Sequence, residues 1–216
     1  MRIGILVEGR AEYESMPFII SKCQFQNHTI LKPLHCNVHP KASLEKIAET
    51  IANSRYRIFQ SQNIDKLVVL LDKEDNDQSE CSIVRSLEAK LNERKDAYNF
   101  KAEIAVVLKV TKYENWLVAD RSVFKQYPKR FPRHTIASKK VKDNGADRID
   151  ALKVIEEALD KNDYDKIKDA VLICQKADIK QAALNSRSLR RLLRVLEIPP
   201  YSDQSKSPVN DRLGPL

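Results

Sequence analysis

Residues 67–80 read "LVVLLDKEDNDQSE". Five apolar residues run straight into Asp72, Glu74, Asp75 and Asp77. An apolar run this short, entered from Lys66 and left through turn-forming residues, predicts a strand buried on both faces of a sheet. In open α/β sheets, ligands bind beyond the carboxyl ends of the strands. The acids sit at that end, in a chain whose formal net charge is +8. Crowded carboxylates raise one another's energy unless a cation joins them. Oxygen donors without histidine suit Mg²⁺ or Mn²⁺ better than zinc. The stretch therefore predicts a divalent-ion site that meets a phosphate.

A second apolar run, "RIGILVE" at residues 2–8, ends at Glu8 and is punctuated by Gly9. If these two strands are neighbours, Glu8 and Asp72 share one crevice. Glu12, four residues on, faces it from the first turn of a helix. Asp72 and Glu74 are two apart, so in an extended turn both reach the same side. Four or more carboxylates allow two ions, one for the attacking and one for the leaving oxygen of a phosphodiester. Acids after a strand also serve as loop solvation and helix caps. Asp75, Asp77, Ser79 and Glu80 fit that simpler role.

Strands and helices alternate outward from these two runs. A helix opens near Ala11, or as late as Ser15 because Pro17 is tolerated only near a helix start. "TILKPLHCNV" reads as an edge strand weakened by Pro33. Residues 43–59 have helical period, with Ser43 as N-cap, and residues 80–95 return to it. "KAEIAVVLKV" is a further strand, ending on the active edge at Lys109, and "YENWLVAD" opens a short helix carrying Glu114 and Trp116. Residues 147–178 and 186–198 are helical, the last capped by Asn185 or Ser186. The predicted class is α/β: a mostly parallel, Rossmann-like sheet sandwiched by helices, with a helical C-terminal extension. Residues 1–120 form the core, 121–142 a basic loop, 143–198 a helical part of the same domain, and 199–216 a flexible tail.

All the excess charge lies in one segment. Residues 121–142, "RSVFKQYPKRFPRHTIASKKVK", hold eight Lys or Arg and no acid, leaving thirty of each sign elsewhere. Phe124, Tyr127 and Phe131 are interleaved with Lys129, Arg130, Arg133, Lys139 and Lys140. Such a loop predicts nucleic-acid contact, since cations displace phosphate counterions and rings stack on bases. The plainer reading is a solvated loop whose aromatics tuck against the core. Lys109 is either placed to neutralise a phosphate or is a plain surface lysine. Cys23, Cys36, Cys81 and Cys174 are scattered without a C-x-x-C pair, and no run is long enough for a signal peptide or a membrane span. Those features predict a reduced, cytoplasmic protein. His35, Cys36 and His39 lack the second ligand pair a zinc site needs.

"ILVEGRAE", followed some sixty residues later by "VVLLDKED", resembles the TOPRIM domain, which has Glu-Gly after its first strand and Asp-x-Asp after a later one. The Glu8-x-x-x-Glu12 spacing is similar to the branch found in OLD-type nucleases. With "YENWLVAD" and "ALNSRSLRRLLRVL" added, the order of motifs over residues 1–198 resembles DUF4276, a bacterial family of TOPRIM-like proteins. The resemblance implies an Mg²⁺-dependent (or Mn²⁺-dependent) nuclease. Glu8, Asp72 and Glu74 would be catalytic, and Glu8, Glu12, Asp72, Glu74 and Glu114 would be metal ligands. Glu74 departs from the usual second aspartate by one methylene. The resemblance also implies DNA or RNA as substrate, a partner ATPase, and a setting in anti-phage or mobile-element defence. Self-association into a homo-oligomer is compatible with it.

Two rivals remain open on the sequence. A receiver domain fits Glu8, Asp72 and Lys109 loosely, but it wants consecutive acids where Gly9 follows Glu8. A non-catalytic TOPRIM-like adaptor, binding nucleic acid or an ATPase, fits the Glu74 departure. With four glycines and no G-x-x-x-x-G-K-[ST] loop, the chain has no phosphate loop of its own for ATP.

Overall fold

The computed structural model describes residues 1–23, 28–36, 38, 42–73, 78–160, 163–199 and 201. Five strands form one sheet: β1 (Arg2–Val7), β2 (Thr29–Ile30), β3 (Leu34–His35), β4 (Lys66–Asp72) and β5 (Glu103–Lys109). Their order is β2-β1-β4-β5, with β3 also on β1, and every pairing is parallel. The predicted edge strand is thus two short pieces. Leu31 and Cys36 still donate to Ile3 and Val7 of β1, but Pro33 between them has no N–H to give.

Side chains on successive strand residues point to opposite faces, and each face is covered. Leu6, Leu67, Val69, Leu71, Val106 and Leu108 meet α2 (Leu44–Ser61) and α3 (Glu80–Glu93) in one core. Ile3, Ile5, Val7, Val68, Leu70 and Val107 face a second core. That core is built by α1 (Arg10–Ile20), α4 (Glu114–Leu117), α5 (Thr135–Lys140), α6 (Ala151–Ala158), α7 (Lys166–Lys176), α8 (Ile179–Asn185) and α9 (Arg187–Val195). The chain is therefore α/β, a parallel sheet flanked by helices on both sides. The C-terminal helices are one of its two layers, with α7 lying along α1.

Local chemistry sets the helix starts. Ser43, Ser79 and Ser186 each accept a backbone N–H from the first turn of α2, α3 and α9. α1 begins at Arg10, earlier than its proline suggests, and keeps Pro17 inside. Glu12, its third residue, reaches back to the N–H groups of Glu8 and Gly9 at 3.1 Å each and fixes the start there. Gly4 marks the closest approach of β1 to α2. A Cβ at this position would lie 2.6 Å from a ring carbon of Phe59.

The basic segment is folded into the second core. It forms a 3₁₀ turn at Val123–Gln126 and then α5. Phe124 and Phe131 are fully buried and meet edge to face, centroids 5.0 Å apart, so their rings are closed to bases. Tyr127 is half-buried against them. Beyond Pro199 only Tyr201 is described, and it is buried rather than loose. The rest of the predicted tail lies outside the described residues. None of the described helices is long and apolar enough to cross a membrane.

Candidate catalytic crevice

β1 and β4 are neighbours, with Val7 opposite Leu70. One step beyond that pair, Glu8 Oε2 accepts the backbone N–H of Asp72 at 2.8 Å. The condition set by the sequence, that the two strands are neighbours, is met, and this bond joins their two terminal acids. On the other side of β4, Asp72 lies opposite Lys109 of β5. Lys109 Nζ sits 2.5 Å from Glu12 Oε1 and 3.1 Å from Asp72 Oδ1. Its side chain is 0 % exposed, against 14 % for Asp72. One buried lysine therefore lies among the acids and offsets part of their charge.

Burial alone would pull the Lys109 ammonium down, but the charges of Glu12 and Asp72 override it and hold the group at about 12. It is charged at any physiological pH. Burial pushes the Glu8 carboxyl up from its ordinary value, partly offset by the Asp72 N–H and the Lys109 charge. Glu12 has both oxygens engaged, Oε2 on two backbone N–H groups and Oε1 on Lys109. That is a structural assignment, where the sequence suggested a metal ligand. Asp72 differs. Its Oδ1 is buried and close to Lys109, yet off the line of a hydrogen bond. A carboxylate oxygen left in that state has unused acceptor capacity.

Glu74, Asp75 and Asp77 lie outside the described residues, as does His39. Glu114 opens α4 and is buried, but its ion pair runs to Lys166 at 3.3 Å, and its Oε2 makes no hydrogen bond. It lines a cleft of about 390 Å³ with Lys112, Leu152, Glu156, Asp163, Tyr164 and Lys166. It is not brought together with Glu8 and Asp72 by any bond among the described residues. Nor do the described residues contain a group of three or more His, Cys, Asp or Glu arranged to hold a metal ion. All four cysteines are free thiols.

The basic side chains proposed for nucleic acid divide into two kinds. Arg130 is held internally by Asp169 at 2.6 Å and Asp163 at 3.0 Å. Arg133 donates to the Leu159 and Asp160 carbonyls, and Lys140 pairs with Glu157. Lys129 and Lys139 are exposed. Lys109 is enclosed and holds carboxylates, so no phosphate reaches it in this arrangement. Sequence reading missed Asn115, whose side chain ties the turn after β5 to Ala146 and Ile149. It also missed Asp147, which accepts bonds from Ser186 and Ser188. Ser188 in turn takes the Trp116 indole N–H at 2.6 Å, which places that ring in the core. The only sequence signal for either was a polar residue beside a helix start.

No curated protein and no solved structure matches the chain. The profile of DUF4276, a domain of unknown function, matches residues 7–197. That span runs from the end of β1 to just past α9 and contains Glu8, Glu12, Asp72, Lys109 and Glu114. The chain belongs to the DUF4276 family.

Proposed function

We propose that the crevice beyond β1 and β4 carries Mg²⁺- or Mn²⁺-dependent hydrolysis of DNA or RNA phosphodiesters, in a TOPRIM-like arrangement. The observation that carries the reading is the Glu8–Asp72 junction. Two acids from adjacent parallel strands are locked together through a backbone N–H at 2.8 Å, and Asp72 Oδ1 is buried without a hydrogen bond. Glu8 and Asp72 offer carboxylate oxygens, the donor type that Mg²⁺ takes. Mg²⁺ is commonly held by one or two carboxylates and completes its shell with water and substrate phosphate. Glu8 and Asp72 would hold it, with Glu74 as the third candidate. When bound, such an ion neutralises phosphoryl charge and lowers the pKa of a coordinated water.

The chain's own residues supply the rest. Burial raises the Glu8 carboxyl from its ordinary value, the direction that favours a proton acceptor. Lys109 and the backbone N–H of Asp72 fix the orientation of Asp72 and Glu8. Glu12 holds the Glu8–Gly9 turn in place. The resemblance to OLD-type TOPRIM proteins supports the reaction class, a partner ATPase and the defence setting.

A second reading is the adaptor, favoured by one observation: the Lys109 ammonium already occupies the place between Glu12 and Asp72 that a cation would take. Incubating labelled DNA and RNA with the protein in Mg²⁺, in Mn²⁺ and in EDTA separates the two. Cleavage that needs the ion and disappears in Asp72→Ala supports the nuclease. Binding of nucleic acid without cleavage under any of these conditions supports the adaptor.

A further inference from the structure

Three elements converge at the rim of the crevice. β4 leaves the sheet at Asp72, and the N–H of Lys73 still bonds the Lys109 carbonyl at 2.9 Å, so Lys73 is held at the edge. α3 begins at Glu80. α9 runs back along the sheet: Lys66, at the far end of β4, bonds Val195 and Glu197, while Arg187 at the start of α9 reaches Glu80. Arg187 is therefore toward the carboxyl end of β4, where Glu80 opens α3. Glu80 takes both cations, Lys73 Nζ on Oε1 at 3.1 Å and Arg187 on Oε2 at 3.9 Å.

We infer that Lys73 and Arg187 are the phosphate clamp of the crevice, held in place by Glu80 until a nucleic-acid backbone arrives; this rests on the proposed function. Lys109 is enclosed, and Arg130 is held by the buried carboxylate of Asp169. Lys73 follows Asp72 directly, which sets it apart from the exposed lysines of residues 129–140. The Glu80 pairs are partly exposed and therefore weak. A backbone phosphodiester carries a single charge, as a carboxylate does, and its oxygens match the guanidinium fork. Successive phosphates engage Lys73 and Arg187 separately, where one Glu80 serves both, and binding releases the strand's counterions. Glu80 loses little when its partners leave, because an acid in the first turn is stabilised by the helix dipole.

The test is binding of a short labelled DNA duplex and a short labelled RNA strand to the full chain, between about 50 and 200 mM salt. Lys73→Gln and Arg187→Gln keep most of the aliphatic stem and remove the charge. Each is expected to lower the slope of log K against log salt by about 1, and the pair by about 2. Glu80→Gln, which frees both cations, is expected to tighten binding. Titration of Mg²⁺ alone is expected to be unchanged in all of them, which separates the clamp from the metal site. A double variant with the wild-type slope would overturn the clamp. So would a wild-type chain that binds neither probe, while the nuclease reading would still be judged by its metal titration.

Discussion

Lys109 and Glu12 meet inside the protein, ammonium to carboxylate at 2.5 Å, joining the end of β5 to the first turn of α1. Neither side chain is more than 4 % exposed. Removing one partner of such a pair leaves a buried charge uncompensated, at a cost of about 3–5 kcal/mol. Lys109→Met is therefore expected to be strongly destabilised in urea unfolding. Adding Glu12→Gln to it should recover part of that loss, so the two changes are not additive. Full additivity would mean that the pair is not coupled.

Arg130 lies in the most basic segment but is held by acids, so it is expected to act on stability. Its guanidinium satisfies Asp169, whose side chain is 2 % exposed. Arg130→Ala should cost about 1.5–3 kcal/mol, the range for hydrogen bonds to charged groups. Nucleic-acid affinity per folded molecule should be unchanged. Reversing charge at exposed Lys139 together with Lys129 should do the opposite, leaving the unfolding midpoint in place and flattening the salt dependence of binding. A flat salt response in Arg130→Ala would reverse these assignments.

Glu8 gives the pH dependence a sign. Its carboxyl is raised in the folded chain, so between its ordinary value and that raised value the native state holds more protons than the unfolded state. Stability in metal-free buffer is therefore expected to fall as pH rises through that window and to stay lower above it. Glu8→Gln keeps an acceptor for the Asp72 N–H and removes the buried charge. It should flatten this part of the profile and be no less stable at pH 7. A variant that loses stability at neutral pH would show that the charge itself is needed.

Much of this fold is legible in the chain because each signal is local. The runs at 2–8 and 66–72 can only be buried strands, and Ser43 and Ser186 announce helix starts that do form. The pairing of Glu8 with Asp72 follows from adjacency of those strands, which sequence states as a condition and the sheet order meets. What escaped is non-local. Lys109 lies thirty-seven residues after Asp72, and only β4–β5 register brings its ammonium among the acids. Arg130 is countered by acids that follow it by more than thirty positions, so a window of charge around it misleads. α1 starts before its proline suggests because Glu12 bonds backward, a constraint that propensity does not carry.

The central claim is that Glu8 and Asp72 form an ion site. The most direct test is calorimetric titration of Mg²⁺ and of Mn²⁺ into metal-free protein, beside Asp72→Ala. Lys109 keeps Glu12 in that variant, so the fold is expected to survive the substitution. Saturable binding to the wild-type chain, lost in a folded Asp72→Ala, is the expected result. Binding that persists in the variant, or none in the wild type with and without nucleic acid present, would contradict it.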